Sequence, residues 1–228
     1  MIERSAANLG MERALEAERE VQRPSNLRSA WEALFKEARG CTRCDLYRNA
    51  TQTVFGEGPL DARLMFVGEQ PGDAEDLEGR PFIGPAGQLL DSMLEEAGVD
   101  RSQTYVTNAV KHFKFEPRGK RRIHSKPDAG EIKACNFWLQ QELELVRAPV
   151  TVALGATAAR ALLGKTVTIS KFRGSPIPLS NGSECRVTVH PSLLLRMPEP
   201  ERRHAERARF IEEMKEIWKR AEALAPES

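Results

Sequence analysis

What this 228-residue chain lacks narrows its class first. A spanning helix needs ~20 apolar residues, and the longest weakly interrupted apolar stretch, Ala148 to Ala159, contains threonines and a glycine and stops at Arg160. The opening residues, MIERSAANLGMERALEAEREV, carry no apolar segment of the secretory kind. Cysteine is scarce, four in all, too few for a disulfide scaffold. Excess charge of one sign is missing, with 34 Lys and Arg against 33 Asp and Glu. These absences predict a cytoplasmic protein with no membrane partner, and a monomer is expected. The 40% hydrophobic content supplies a sizeable core and excludes wholesale disorder.

The balanced charge conceals one basic segment. Residues 111–126, KHFKFEPRGKRRIHSK, hold seven lysines and arginines against the single acid Glu116. Such a segment on a mildly acidic body suggests that a polyanion meets the protein at one place, a solvated basic loop being the plain alternative.

Patterning predicts short apolar strands at 63–68, 104–110, 150–155 and 185–190. Helices are expected over 27–39 with Asn26 as cap, over 84–98 behind Pro85, over 131–146, over 156–164, and from Glu199 to Leu224. Residues 111–127 read as a long loop. Residues 1–37 are expected to form an N-terminal extension and helix, and 38–228 a single domain. Strands alternating with helices predict a three-layer α/β/α sandwich around a four-stranded parallel sheet. Right-handed crossovers then bring the loops after each strand to one edge, where open α/β sheets bind ligands.

Two groups of residues carry chemistry. Cys41-x-x-Cys44 suits a metal or cluster. Cys135 is a third candidate ligand, and the fourth is His112 or Cys185. His112 is favoured because it and Cys135 flank the same loop, although buried inert cysteines or a zinc site fit the same residues. The second group is GEQPGDAED at 68–76, which sets Glu69, Gln70, Asp73 and Asp76 directly behind a strand. Phe82 offers a flat face for a base, and Gly84 opens a helix whose N–H groups suit a phosphate.

GEQPG (68–72), PFIGPAGQLLD (81–91), VTNAVK (106–111) and HPSLLLR (190–196) resemble the uracil-DNA glycosylase superfamily in its iron–sulfur branch, family four. Gln70 within GEQPG, NAVKHFKF and the basic KRRIH (120–124) are closer still to the UdgX-type enzymes, which excise uracil and become covalently joined to the DNA. The resemblance runs from about Cys41 to Arg196.

That resemblance implies a flipped uridine in uracil-containing DNA, with Phe82 stacking on the uracil, Asn108 reading its Watson–Crick edge and His190 bonding O2. Ser192 and the Gly84 helix start would hold phosphates. Leu194, Leu195 and Arg196 would fill the gap left by the base. His124 would be the nucleophile, Glu69 would accept its charge, and Gln70 would position base or sugar. Lys120, Arg121 and Arg122 would anchor the loop on the DNA backbone. Cys41, Cys44, His112 and Cys135 would carry a 4Fe-4S cluster, His112 standing where family four usually has cysteine. A conventional turnover glycosylase and a non-catalytic metal-bearing DNA-binding module are the competing functions.

Overall fold

The computed structural model describes residues 27–225. Most of the extension expected over residues 1–37, with Asn26, lies outside them. The first helix, α1 (Leu27–Ala38), is present. Strands β1 (Leu64–Gly68), β2 (Thr104–Asn108), β5 (Val150–Leu154) and β7 (Glu184–Thr188) form the parallel sheet. Every residue of β1, β2 and β5 is buried, as helices on both faces require.

The sheet has a fifth member absent from the sequence reading. β6 (Ile177–Pro178) pairs antiparallel with β7 at the edge, giving the order β2-β1-β5-β7-β6. A two-residue strand containing proline has no alternation to reveal it, and proline is tolerated at an edge.

Side chains leave β1 in opposite directions. Met65 and Val67 join a core under α1, α4 (Ala129–Val146) and α5 (Ala156–Leu163). Leu64 and Phe66 join a second core under α3 (Pro85–Glu96), α7 (Pro191–Arg196) and α8 (Pro200–Leu224). Two short helices, α2 (Asp73–Glu78) and α6 (Ile169–Phe172), complete the set. Among the described residues no helix is long and apolar enough to cross a membrane.

The basic segment is not a loop. β3 (Phe115–Arg118) and β4 (Arg121–His124) form an antiparallel hairpin closed by Gly119 and Lys120, with Gly119 at φ +60°. Cross-strand partners share a face. Phe115, Pro117, Arg122 and His124 therefore lie on one side, and Glu116, Arg118, Arg121 and Ile123 on the other.

The chain steps from β1 outward to β2 on one side, and then to β5 and β7 on the other. This reversal opens a crevice beyond the carboxyl ends of β1 and β5, where doubly wound sheets take their ligands.

Candidate active site

A cavity of about 950 Å³ occupies that crevice. Glu69 and Gln70 enter it behind β1, Asn108 at the end of β2, Thr157 at the start of α5, His190 behind β7, and His124 from the hairpin. Residues far apart in sequence meet here because each follows a strand of the sheet or hairpin.

Phe82 is held in a conformation a bulky residue avoids, with φ +58°. Two glycines allow it. A Cβ at Gly87 would lie 1.7 Å from the Phe82 carbonyl oxygen, and one at Gly68 would lie 2.7 Å from the Phe82 ring and 2.3 Å from Asn108 Oδ1. The ring and the Asn108 amide thus close on bare backbone. The Phe82 ring also lies 6.3 Å from the His190 ring, at an interplanar angle of 26°.

His190 caps α7. Its Nδ1 accepts the Ser192 N–H at 3.1 Å and lies 2.9 Å from the Ser192 hydroxyl. The neutral ring therefore carries its proton on Nε2. Burial pushes its pKa down to about 4, so at neutral pH His190 is an uncharged donor. Ser192, expected on a phosphate, instead orients this ring, and its hydroxyl accepts from Arg196 at 3.2 Å.

Glu69 faces two partners. One oxygen, Oε1, lies 3.3 Å from His124 Nε2, and the other accepts the Thr157 hydroxyl. Burial pushes the Glu69 carboxyl up, but hydrogen bonds from His124 and Thr157 outweigh it and the net shift is down. Glu69 is accordingly a carboxylate at neutral pH.

Several of the expected site residues make internal contacts. Gln70 clamps the hairpin base: its Nε2 donates to the carbonyls of Lys114 and Ser125, both at 3.1 Å, and its Oε1 accepts the Lys114 N–H at 3.2 Å. Both amide protons are thereby taken, while Oε1 keeps one lone pair on the cavity wall. Arg122, expected on DNA phosphates, bonds Asp73 at 2.5 Å and the buried Asp76 at 2.6 Å. Asp73 is thus a latch for the hairpin. At the start of α3 the Gly84 N–H donates to Glu75 Oε1 at 2.9 Å, and Pro85 has none. Leu194 packs in the core, while Leu193 and Leu195 are exposed beside the cavity.

The basic segment also sorts itself. Lys111 is fully buried against Glu142, donating as well to Thr107 and to the Asn108 carbonyl at 2.8 Å. Lys114 pairs with Glu131 at 2.8 Å. Arg118, Lys120, Arg121 and Lys126 are the exposed cations.

Residues 55–219 match the family model of the Uracil DNA glycosylase superfamily. The chain belongs to the uracil-DNA glycosylase superfamily. It is 43% identical over 166 residues to a type-4 uracil-DNA glycosylase of Thermotoga maritima, covering 72% of this chain and 83% of that one. A type-4 enzyme of Archaeoglobus fulgidus is 35% identical over 173 residues (73% and 83%), and a type-5 enzyme of Pyrobaculum aerophilum is 33% identical over 153 residues (60% and 64%).

One corner of this glycosylase fold suits an iron–sulfur cluster. Trp138 Nε1 donates to Cys41 Sγ and the Lys111 N–H to Cys135 Sγ, each at 3.1 Å. Such donors favour a thiolate, the form that would bind iron, against burial, which pushes the Cys135 thiol up to about 12. The Thr53 hydroxyl spends its proton on the Ala38 carbonyl at 2.9 Å and so accepts from His112 Nε2 at 3.0 Å. His112 Nδ1 is left with a bare lone pair, buried and without a partner, and burial lowers the His112 pKa, keeping it neutral. A second-nitrogen hydrogen bond and a free first nitrogen are what a histidine ligand needs. Among the described residues no three candidate side chains converge on a single ion. Cys185 is a fully buried strand residue in register with Thr151 and Ile177.

Proposed function

We propose that this chain excises uracil from DNA and then becomes joined to the deoxyribose through His124, as the UdgX-type enzymes do. One observation carries the reading: His124 Nε2 stands 3.3 Å from Glu69 Oε1, in the cavity that also holds Phe82, Asn108 and His190.

A uridine turned out of the stack enters this cavity. The base lies on Phe82 and meets the Asn108 amide, which donates to O4 and accepts from N3–H; cytosine presents the opposite pattern. As the C1′–N1 bond breaks, its electron pair leaves with the base, and the His190 Nε2–H stabilises the charge growing on O2. The electron-poor C1′ then takes the lone pair of one His124 ring nitrogen. The proton on the other nitrogen passes to the Glu69 carboxylate, leaving a neutral alkylated imidazole. Nothing in this sequence regenerates His124, so each molecule acts once.

Cys41, Cys44, His112 and Cys135 hold a 4Fe-4S cluster in this reading. Bound there, it would supply a covalent staple between these segments, since base removal transfers no electrons between redox centres.

The experiment is incubation with a uracil-containing oligonucleotide followed by a denaturing gel. The expected result is a shifted band that survives SDS and heat and disappears in His124→Ala. Free abasic product without a shifted band would favour a conventional glycosylase that releases its product. Absence of uracil release would leave a DNA-binding module.

A further inference from the structure

The loop behind β5 supplies a residue that neither motif nor spacing marks. Thr157 is buried at the second position of α5, and its hydroxyl donates to Glu69 Oε2 across the reversal point of the sheet. The same turn brings Gly155 against His190, where a Cβ would lie 3.3 Å from the His190 Cβ. A single tight connection therefore touches both the leaving-group histidine and the carboxylate of the nucleophile.

We propose that Thr157 is a positioning residue for covalent capture, fixing Glu69 so that Oε1 alone addresses His124. The inference rests on the His124 reading above. A carboxylate rotates freely about its last bond unless one oxygen is tied. With Oε2 held by a hydroxyl at the start of a helix, where negative charge is favoured, Oε1 is the atom left to face the imidazole and to receive its proton. The other charged or titratable groups on the cavity wall are His124 and Lys126 from the hairpin, His190 and Arg196 from the end of β7 and α7, and Asp73 and Glu75 from α2. Arg122 occupies Asp73, and the N–H groups of Gly72 and Gly84 occupy Glu75. Thr157 is thus the neutral partner that binds the Glu69 carboxylate directly.

The test compares Thr157→Val, which keeps the shape and removes the donor, with Thr157→Ser, which keeps the donor. Hydrogen bonds to charged groups are large enough that Thr157→Val should capture DNA roughly tenfold more slowly. Its acid limb in a pH–rate profile should move to higher pH, because Glu69 protonates more readily. More free abasic product should form per uracil released, and Thr157→Ser should restore all three. Equal capture rates and unchanged acid limbs in wild type and Thr157→Val would overturn the proposal, as would a serine variant no better than valine. Carboxyl NMR titration of Glu69 keeps the two readings apart. If the wild type forms no adduct, the His124 reading fails. The Thr157 contact is still judged by whether the Glu69 midpoint rises in Thr157→Val and returns in Thr157→Ser.

Discussion

Arg122 Nη1 lies 2.6 Å from Asp76, a carboxylate with no exposed surface, while Arg122 Nε bonds Asp73 at 2.5 Å. The arginine stacks over Phe113 and Phe115 as well, with its guanidinium carbon 5.4 and 5.1 Å from their centroids. His124 sits two residues further along the same face of β4. The hairpin is thereby latched to α2, and the latch sets where the imidazole points.

Removing the latch should separate base release from capture. In Arg122→Met the β3–β4 hairpin loses its hold on α2, whereas Phe82, Asn108 and His190 stand on other elements. Adduct formation should fall at least tenfold while uracil is still released. Hydrogen exchange should rise over residues 113–126 and stay unchanged in β1 and β5. Equal loss of both activities would count against the latch.

Gln70 holds the other end of the hairpin. Gln70→Leu leaves the Lys114 and Ser125 carbonyls and the Lys114 N–H without their partner, at ~1–3 kcal/mol for each group that stays buried. Thermal melting should show a lower Tm and the gel a slower adduct. A variant as stable and as fast as wild type would show that the clamp is dispensable.

Arg118 and Arg121 point away from the protein on the outer hairpin face. Changing both to Gln should weaken DNA binding at low salt and reduce the slope of log affinity against log salt by about 2, the signature of two phosphate contacts. Phosphate contacts position the protein without reading bases, so the preference for uracil should not change. Fluorescence anisotropy across a salt series measures the slope.

His190 should titrate near pH 4 by NMR, since its folded pKa is about 4 against an ordinary value near ~6.5. Between these values the unfolded chain binds the extra proton. The stability linked to this group is therefore complete above about pH 6.5 and is lost as the pH falls toward 4. Uracil release should show no requirement for a protonated histidine between pH 6 and 7. A midpoint near 6.5 would contradict the neutral-donor role.

Gly87→Ala places a methyl group 1.7 Å from the Phe82 carbonyl oxygen, and backbone on both sides gives it nowhere to go. We expect a cost of ~3 kcal/mol, or roughly 10 °C in Tm, and loss of uracil release as Phe82 shifts. A wild-type melting curve with full activity would show that the close approach is not needed.

Much of the fold was readable because its signals are local. Short apolar runs mark β1, β2 and β5, and Pro85 marks the start of α3, whereas α4 begins two residues before the expected 131, behind the Asp128 cap. The hairpin escaped because Pro117 and the five consecutive charged or turn residues 118–122 hide the two short strands on either side of Gly119 and Lys120. Asn108, Phe82 and His190 meet because each lies beyond the same sheet edge. The inward turns of Lys111, Arg122 and Gln70 depend on Glu142, Asp76 and the Ser125 carbonyl, partners 31, 46 and 55 residues away. Thr157 is the extreme case, because its role exists only through a contact 88 residues distant.

The central claim is tested most directly by intact-mass and peptide-level mass spectrometry of the protein after reaction with a uracil-containing oligonucleotide. Covalent capture gives a protein heavier by the oligonucleotide without its uracil, with the deoxyribose remnant mapped to His124. An unmodified protein beside released uracil and a free abasic strand, or a remnant on any other residue, would contradict it.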